Sequence, residues 1–300
     1  MKRQILIIGQ GNIGTFLGLA LQQSSDNNVC HFVRNKGFKP TNIILKFTDR
    51  RNTKSKIKKN SVYNYQQTDN ETEITNADFI FVPVRFTQWR EIIESIKLNL
   101  HKNQTLVICG NVLDDFEWLE KNIPCPYVFA FPNFGGAIID GKLQGWLTAN
   151  FTVGITNELF KISFDLVSSL LSEVGFQPKK ENDIKGWLMT HFAYNAGMLS
   201  EAAMQDGFQK MTKSLNGLKK MYTAMRKCMN MIKNLGINVT NFSEGRSVYA
   251  PLWWNMIKTY FLFLIPGLAK SADATQNIKE WMSYLEALET YCKNQKNTVS

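Results

Sequence analysis

Histidine is scarce, cysteine has no regular spacing, and no long apolar run is free of polar interruption. With only His31, His101 and His191 present, a histidine-rich metal centre has no ligands to draw on. The five cysteines, at 30, 109, 125, 228 and 292, are an odd number without a C-x-x-C pair, which argues against a disulfide framework and against structural zinc. Cys30 and Cys109 fall in apolar runs, where small buried thiols are common. The most membrane-like segment, Leu252 to Ala269, is broken by Asn255, Lys258 and Pro266 and so predicts a buried or amphipathic helix. Met1-Lys2-Arg3 is followed by only four apolar residues before Gly9, too few for a signal peptide; the expectation is a cytoplasmic protein without membrane attachment. Repeats and low-complexity tracts are missing too, and only a polar tail from Lys293 to Ser300 stands apart.

The chain does have size, apolar content and positive charge. Its 300 residues suit two domains that each bury a core, and 44% hydrophobic with 12% aromatic content is globular. The net charge of +10 is uneven, with Arg50, Arg51, Lys54, Lys56, Lys58 and Lys59 crowded into one segment. Nucleic-acid binding would call for interleaved aromatics or a recognisable module, and neither is present. The run therefore reads as a solvated basic loop near the mouth of an anion-binding site, with an acidic-polymer surface as the remote alternative.

The most specific feature opens the chain. Ile5-Leu6-Ile7-Ile8 reads as a strand and runs into Gly9-Gln10-Gly11-Asn12-Ile13-Gly14, after which Phe16, Leu17, Ala20 and Leu21 keep helical spacing. This is G-x-G-x-x-G in strand–turn–helix context: one glycine for the tight turn, one for approach of backbone N–H groups to a pyrophosphate, one for helix–strand packing. The positive end of the helix dipole then meets the phosphates, so Gly9, Gln10, Gly11, Asn12, Ile13 and Gly14 are candidate cofactor contacts. The following strand, Val29 to Val33, ends at Arg34 rather than at the carboxylate that usually bonds a ribose 2′-OH. Arginine can grip a 2′-phosphate that a carboxylate would repel, so the predicted cofactor is NADP(H); a solvated arginine at a strand end is the plainer reading.

Further strands are predicted at Ile43–Thr48, Phe79–Val84, Leu106–Cys109, Tyr127–Phe131 and Phe151–Ile155, alternating with helices at Phe86–Leu98, Asp115–Lys121 and Leu159–Val174. A glycine-rich stretch, Phe131 to Gly136, follows the Tyr127 strand. The pattern is a mostly parallel sheet with helices on both faces. Beyond Pro178 strand signal fades, and helices are predicted over 183–205, 207–235, 251–265 and 274–292, the second stopped by Gly236. The predicted fold class is α/β: a Rossmann dinucleotide-binding domain over 1–180, then an all-α domain over 181–300 for substrate binding and dimerisation.

These features together resemble the ketopantoate reductase (2-dehydropantoate 2-reductase) family over nearly the whole chain. The resemblance rests on Gly9, Gly11, Gly14 and Arg34, on Phe81-Val82-Pro83-Val84-Arg85, on Asn111, on Gly175-Phe176 and on Trp187. The segments Phe131-Pro132-Asn133-Phe134-Gly135-Gly136 and Trp187-Leu188-Met189-Thr190-His191 resemble one branch of it. The resemblance implies an NADP-dependent reductase of a small carbonyl substrate, with Arg85 at the position of a cofactor-contacting lysine and Asn111 beside the nicotinamide and substrate. It further implies a general-acid lysine two residues after Trp187 and two asparagines at the next helical turns. Here those positions hold Met189, Ala193 and Gly197, which can neither donate a proton nor orient a substrate. The substrate-binding serine and glutamate of a later helix find no carboxylate between Pro251 and Leu264. Replacement acids are Lys185, one turn before Met189, and His191 with its i+4 neighbour Asn195; Tyr194 is a weaker one. Two functions remain: a reductase of a small 2-oxo acid or ketone with a rebuilt acid, and an NADP(H)-binding regulator with little turnover. Neither needs nucleic acid, membrane or metal, and both are compatible with a homodimer.

Overall fold

Alternating hydrophobic runs and amphipathic stretches build a two-part molecule, of which the computed structural model describes residues 2–34, 41–51, 57–113, 116–139, 141–264, 268–273 and 277–299. Backbone contacts group Met1–Gly110 with Phe116–Ile184, and Asn111–Asp115 with Lys185–Ser300.

The first unit contains β1 (Arg3–Ile8), α1 (Asn12–Leu21), β2 (Asn27–Phe32), β3 (Asn42–Arg50), β4 (Ile57–Asn64), β5 (Gln66–Thr68), α2 (Thr72–Asn76) and β6 (Phe79–Val82). It continues through α3 (Trp89–Ile96), β7 (Thr105–Ile108), α4 (Phe116–Asn122), β8 (Tyr127–Pro132), β9 (Gly135–Ile139), β10 (Lys142–Thr148), β11 (Asn150–Gly154), α5 (Lys161–Glu173) and β12 (Gln177–Lys180). Eight strands form one sheet in the order β12-β11-β8-β7-β6-β1-β2-β5, parallel except where β11 meets β8. Strand order reverses at β1, which pairs with β2 on one side and β6 on the other, so a crevice opens beyond their carboxyl ends. The central strands are apolar on both faces, as strands covered on both sides must be: β6 and β7 are buried at every position.

One expectation is corrected in this unit. The Ile43–Thr48 segment is a strand but does not join the parallel sheet. As β3 it lies in a second sheet of order β4-β3-β10-β9. The glycine-rich stretch after Tyr127 forms the end of β8 and the start of β9, with Gly136 opposite Gly145. Glycine is required at 136 because a Cβ would strike the Gln144 carbonyl and come within 3.0 Å of the Phe16 ring on α1. Phe16 in turn packs edge-on against Phe47 of β3 and Phe134, at 5.5 and 6.1 Å between centroids. The second sheet thus covers α1, and burying a phenylalanine such as Phe16 contributes about 1.5–3 kcal/mol.

The basic run is corrected in part. Arg51 is buried, donates Nη2 to Asp49 Oδ2 at 2.9 Å and Nη1 to the Val174 carbonyl at 2.6 Å, and lies over the Phe176 ring. It staples the end of β3 to the turn after α5 and is no part of a solvated loop. Lys54 and Lys56 lie outside the described residues; the backbone of Lys58 and Lys59 pairs on β4 with Thr48 and Phe47.

The second unit holds α6 (Ile184–Met204), α7 (Phe208–Thr212), α8 (Leu215–Lys233), α9 (Ser243–Tyr249), α10 (Leu252–Phe263), α11 (Leu268–Asp273) and α12 (Ile278–Val299). The helix expected over 207–235 is two helices. Ser214 has an extended backbone and its hydroxyl accepts from the Gly217 N–H, a cap that starts α8 afresh. Gly236, at φ +89°, follows its end as expected of a left-handed terminator. Among the described residues no helix is long and apolar enough to cross a membrane.

Candidate functional site

The glycine loop follows β1 at the crevice, and its three glycines differ in surroundings. Gly9 sits at φ +88°, a conformation that a side chain resists. A Cβ on Gly14 would stand 3.2–3.3 Å from the Gly9 carbonyl, Ile7 and Pro83, so α1 rests directly on the strands. Gly11 differs: it is exposed, and a Cβ there would meet nothing within 4 Å. No protein group demands glycine at 11. Gly11 caps α1 without a side-chain bond, leaving the first N–H groups of the helix for a ligand. Asn12 donates Nδ2 to the Gly136 carbonyl at 2.6 Å and so ties the helix start to β9; Ile13 beside it is half-buried. Gln10 is buried, donating Nε2 to Gln67 Oε1 while its own Oε1 has no partner.

Sequence reasoning missed the support beneath the loop. His31 on β2 is buried, its Nδ1 2.8 Å from the Gly9 carbonyl and its Nε2 3.0 Å from the Tyr63 hydroxyl on β4. A carbonyl only accepts, so Nδ1 carries the proton and Nε2 accepts from Tyr63. Burial lowers the histidine pKa, outweighing the opposing effect of the Gly9 bond, and keeps the ring neutral. Gly18 on α1 makes room, since a Cβ there would strike both Tyr63 and His31. The signal was the histidine in an otherwise apolar strand. The Cys30 thiol next to it is pushed up to about 11, chiefly by burial, and is inert.

Arg34 lies just past β2 and is exposed. Its Nη1 donates to Glu91 Oε1 at 2.8 Å. No carboxylate stands near Arg34 in sequence; the fold brings one from the first turn of α3. Arg85 is exposed three residues beyond β6, the strand on the other side of the crevice.

In the second unit, the stripe occupied by Met189, Ala193 and Gly197 is filled by packing. Met189 and Ala193 are buried, and a Cβ on Gly197 would come within 2.5 Å of the Met225 backbone on α8. The more open face of α6 carries His191, Tyr194 and Asn195, all half-buried. His191 stacks between Trp187 and Tyr194, at 5.0 and 6.5 Å, and its Nδ1 is 3.4 Å from Glu244 Oε1 on α9. Burial alone would raise the Glu244 carboxyl. Bonds and charge from His191, with the Ser243 hydroxyl and its own N–H, outweigh that and hold it below the ordinary value. The Tyr194 phenol is pushed up, mainly by burial, and stays protonated. Lys185 is half-buried in the first turn of α6. Asn111 donates Nδ2 to the Tyr284 hydroxyl on α12 at 3.0 Å, while its buried Oδ1 has no hydrogen-bond partner. Glu244 and Tyr284 were not among the candidates; Ser243-Glu244 at a helix start was the signal available.

A parallel sheet with a glycine loop at its switch point, followed by a helical unit, has the architecture of a dinucleotide-binding protein. Residues 5–156 match the model of the ketopantoate reductase PanE/ApbA family, and the chain belongs to that family. Its fold is shared along almost the whole length. A PanE/ApbA family ketopantoate reductase from Ralstonia eutropha JMP134 superposes with a TM-score of 0.63 at 12% identity, covering 98% of this chain and 100% of that one. A dimeric ketopantoate reductase from Staphylococcus aureus gives 0.60 at 13%, covering 96% and 99%. A D-mandelate dehydrogenase, in a ternary structure with NADH and anilino(oxo)acetate, gives 0.65 at 14%, covering 99% of each chain. No curated protein matches the sequence.

Proposed function

We propose that the chain is an NADPH-dependent reductase of a small 2-oxo acid or ketone, with His191 held by Glu244 as the acid. The observation that carries the reading is the His191–Glu244 pair on the more open face of α6, next to the packed stripe where the family lysine would stand. The loop from Gly9 to Gly14 fits a dinucleotide: the open side of Gly11 and the uncapped start of α1 are positions a pyrophosphate would use. Arg34 would hold the 2′-phosphate, exchanging Glu91 for it, and Arg85 lies on the same crevice. NADPH, when bound, supplies the hydride. His191 would deliver a proton from Nε2 to the carbonyl oxygen, while Nδ1–H stays on Glu244, whose carboxylate fixes the ring. Asn111, with Nδ2 anchored by Tyr284, keeps Oδ1 to accept from the hydroxyl that the reduction forms. The oxo acid in the D-mandelate dehydrogenase complex supports the substrate class.

The packing of Met189, Ala193 and Gly197 favours one other reading, an NADP(H)-responsive regulator with little turnover. Oxidation of NADPH, followed by its fluorescence on adding a panel of 2-oxo acids, separates the two. Turnover that survives Lys185→Met and collapses in His191→Asn supports the reductase with this acid; tight NADPH binding with no turnover on any substrate supports the regulator.

A further inference from the structure

Between the end of α6, the outer face of α8 and Leu285 of α12, the helical unit holds a cavity of about 380 Å³ that the proposed reduction does not use. Small-molecule sites run from about 300 to 1,000 Å³ and are mainly apolar, with a few placed polar groups. Helices α6 and α8 run antiparallel here: a Cβ on Gly197 would meet Met225, and Gln205 Nε2 reaches the Gly217 carbonyl at 3.4 Å. Glu201 lies midway between these two contacts. The inner wall, from Ser200, Ala224, Cys228 and Leu285, is buried or half-buried, whereas Lys219, Lys220 and Lys227 stand exposed at the rim. Burial pushes the Cys228 thiol up to about 12, so that wall contributes neutral surface and no nucleophile.

Glu201 is the anomaly. It is only 9% exposed and lines the cavity, and its Oε1 accepts from Gln205 Nε2 at 2.7 Å. Among the described residues no cation pairs with it. A carboxylate withdrawn from water is costly until a positive charge meets it. The rim has the opposite surplus. Lys227 is 3.8 Å from Glu289, but among the described residues no carboxylate pairs with Lys219 or Lys220. We propose that the cavity is a binding site for a free α-amino acid with an apolar side chain. The ammonium meets Glu201, the side chain lies against Ala224, Cys228 and Leu285, and the carboxylate meets Lys219 and Lys220. A simple cation would be repelled by the lysines, and a fatty-acid-like anion would set no positive charge against Glu201. The site is separate from the proposed acid, since Glu201 lies about 15 Å along α6 from His191.

Titration calorimetry of the full chain with leucine, phenylalanine and glycine tests the assignment. Leucine and phenylalanine should bind with dissociation constants below about 1 mM, and glycine about tenfold or more weakly for want of a side chain to bury. N-acetylleucine, without the ammonium, and leucinamide, without the carboxylate, should each bind about 10–100-fold more weakly than leucine. Glu201→Gln keeps an acceptor for Gln205; it should weaken leucine by a similar factor with an unchanged far-ultraviolet dichroism spectrum. Lys219→Met combined with Lys220→Met should do the same, while Lys102→Met, at an exposed lysine of the first unit, leaves leucine binding unchanged. Failure of both leucine and phenylalanine to bind overturns the site. N-acetylleucine or octanoate binding as tightly as leucine overturns the role of Glu201, and leucinamide doing so overturns that of the lysines. His191→Asn should bind leucine as the native chain does; a loss there places the ligand at the acid and overturns the cavity.

Discussion

Gly11 and Gly197 are the same residue kept for opposite reasons. At Gly11 the missing Cβ faces open space, so the protein itself would tolerate a side chain; at Gly197 it faces the backbone of α8. The first unit leaves room beside Gly11, and the second unit has filled the stripe of Met189, Ala193 and Gly197 with packing. The contrast teaches where evolution was free to move chemistry. A phosphate cradle is made of backbone and tolerates little rearrangement, whereas an acid is one side chain and can shift to another face of the same helix.

The largest expected effect tests the shifted acid. His191→Asn should lower kcat by about 10²–10⁴-fold while NADPH affinity is kept, as measured in single-turnover reduction. An unchanged kcat would move the acid elsewhere and leave Lys185 as the next candidate. The two glycines allow a crossed experiment. Gly197→Val should cost about 1–3 kcal/mol or more in denaturant unfolding, because helix backbones cannot yield as side chains do. Gly11→Val should leave unfolding unchanged and weaken NADPH by about 10–100-fold, the loss of charge-assisted bonds to the pyrophosphate. If both variants behaved alike, the contrast would collapse.

Arg34→Asp should erase or reverse the preference for NADPH over NADH, by about 10–100-fold in the ratio of dissociation constants. Glu91→Gln sharpens the same test. An exposed ion pair is worth about 0.2–1 kcal/mol, so freeing Arg34 should tighten NADPH by up to about fivefold and leave NADH unaffected.

The smallest effect concerns His31. Its folded pKa is depressed below the ordinary 6.5. Above that value the buried neutral ring carries no penalty. As pH falls through 6.5 toward the depressed folded value, the unfolded chain takes up a proton that the folded chain refuses, and stability declines. A His31→Asn variant should lose that slope between pH 7 and 5 in urea unfolding, with approximate limits set by the ordinary histidine range. Tyr63→Phe should keep the slope and cost about 1–3 kcal/mol, since Nε2 is left buried without a donor.

What could be read before any coordinates was local or repeated at short range. The strand–glycine–helix order, the apolar runs of β1, β6 and β7, the helical periodicity after Pro178 and the break in family pattern at Met189 all depend on neighbours within a few residues. The helix predicted over 207–235 failed for the same local reason. One serine with an extended backbone interrupts it, and Lys213-Ser214 carries no glycine or proline to announce the break. The second sheet failed for a different reason: β3 has a strand pattern whichever sheet it joins, and of its two partners β10 arrives only about a hundred positions later.

The sequence by itself determined that a strand–glycine–helix loop is present and that position 189 carries no proton donor, because steric demands on glycine and the chemistry of methionine travel with the residue. Only the tertiary structure decided the partners: Glu91 for Arg34 across 57 positions, Glu244 for His191 across 53, Tyr284 for Asn111 across 173. It also decided that Arg51 is a buried staple and that α10 turns its aromatics outward. Charge pairing and burial depend on distance in space, and no periodicity along the chain encodes which distant segment will arrive there.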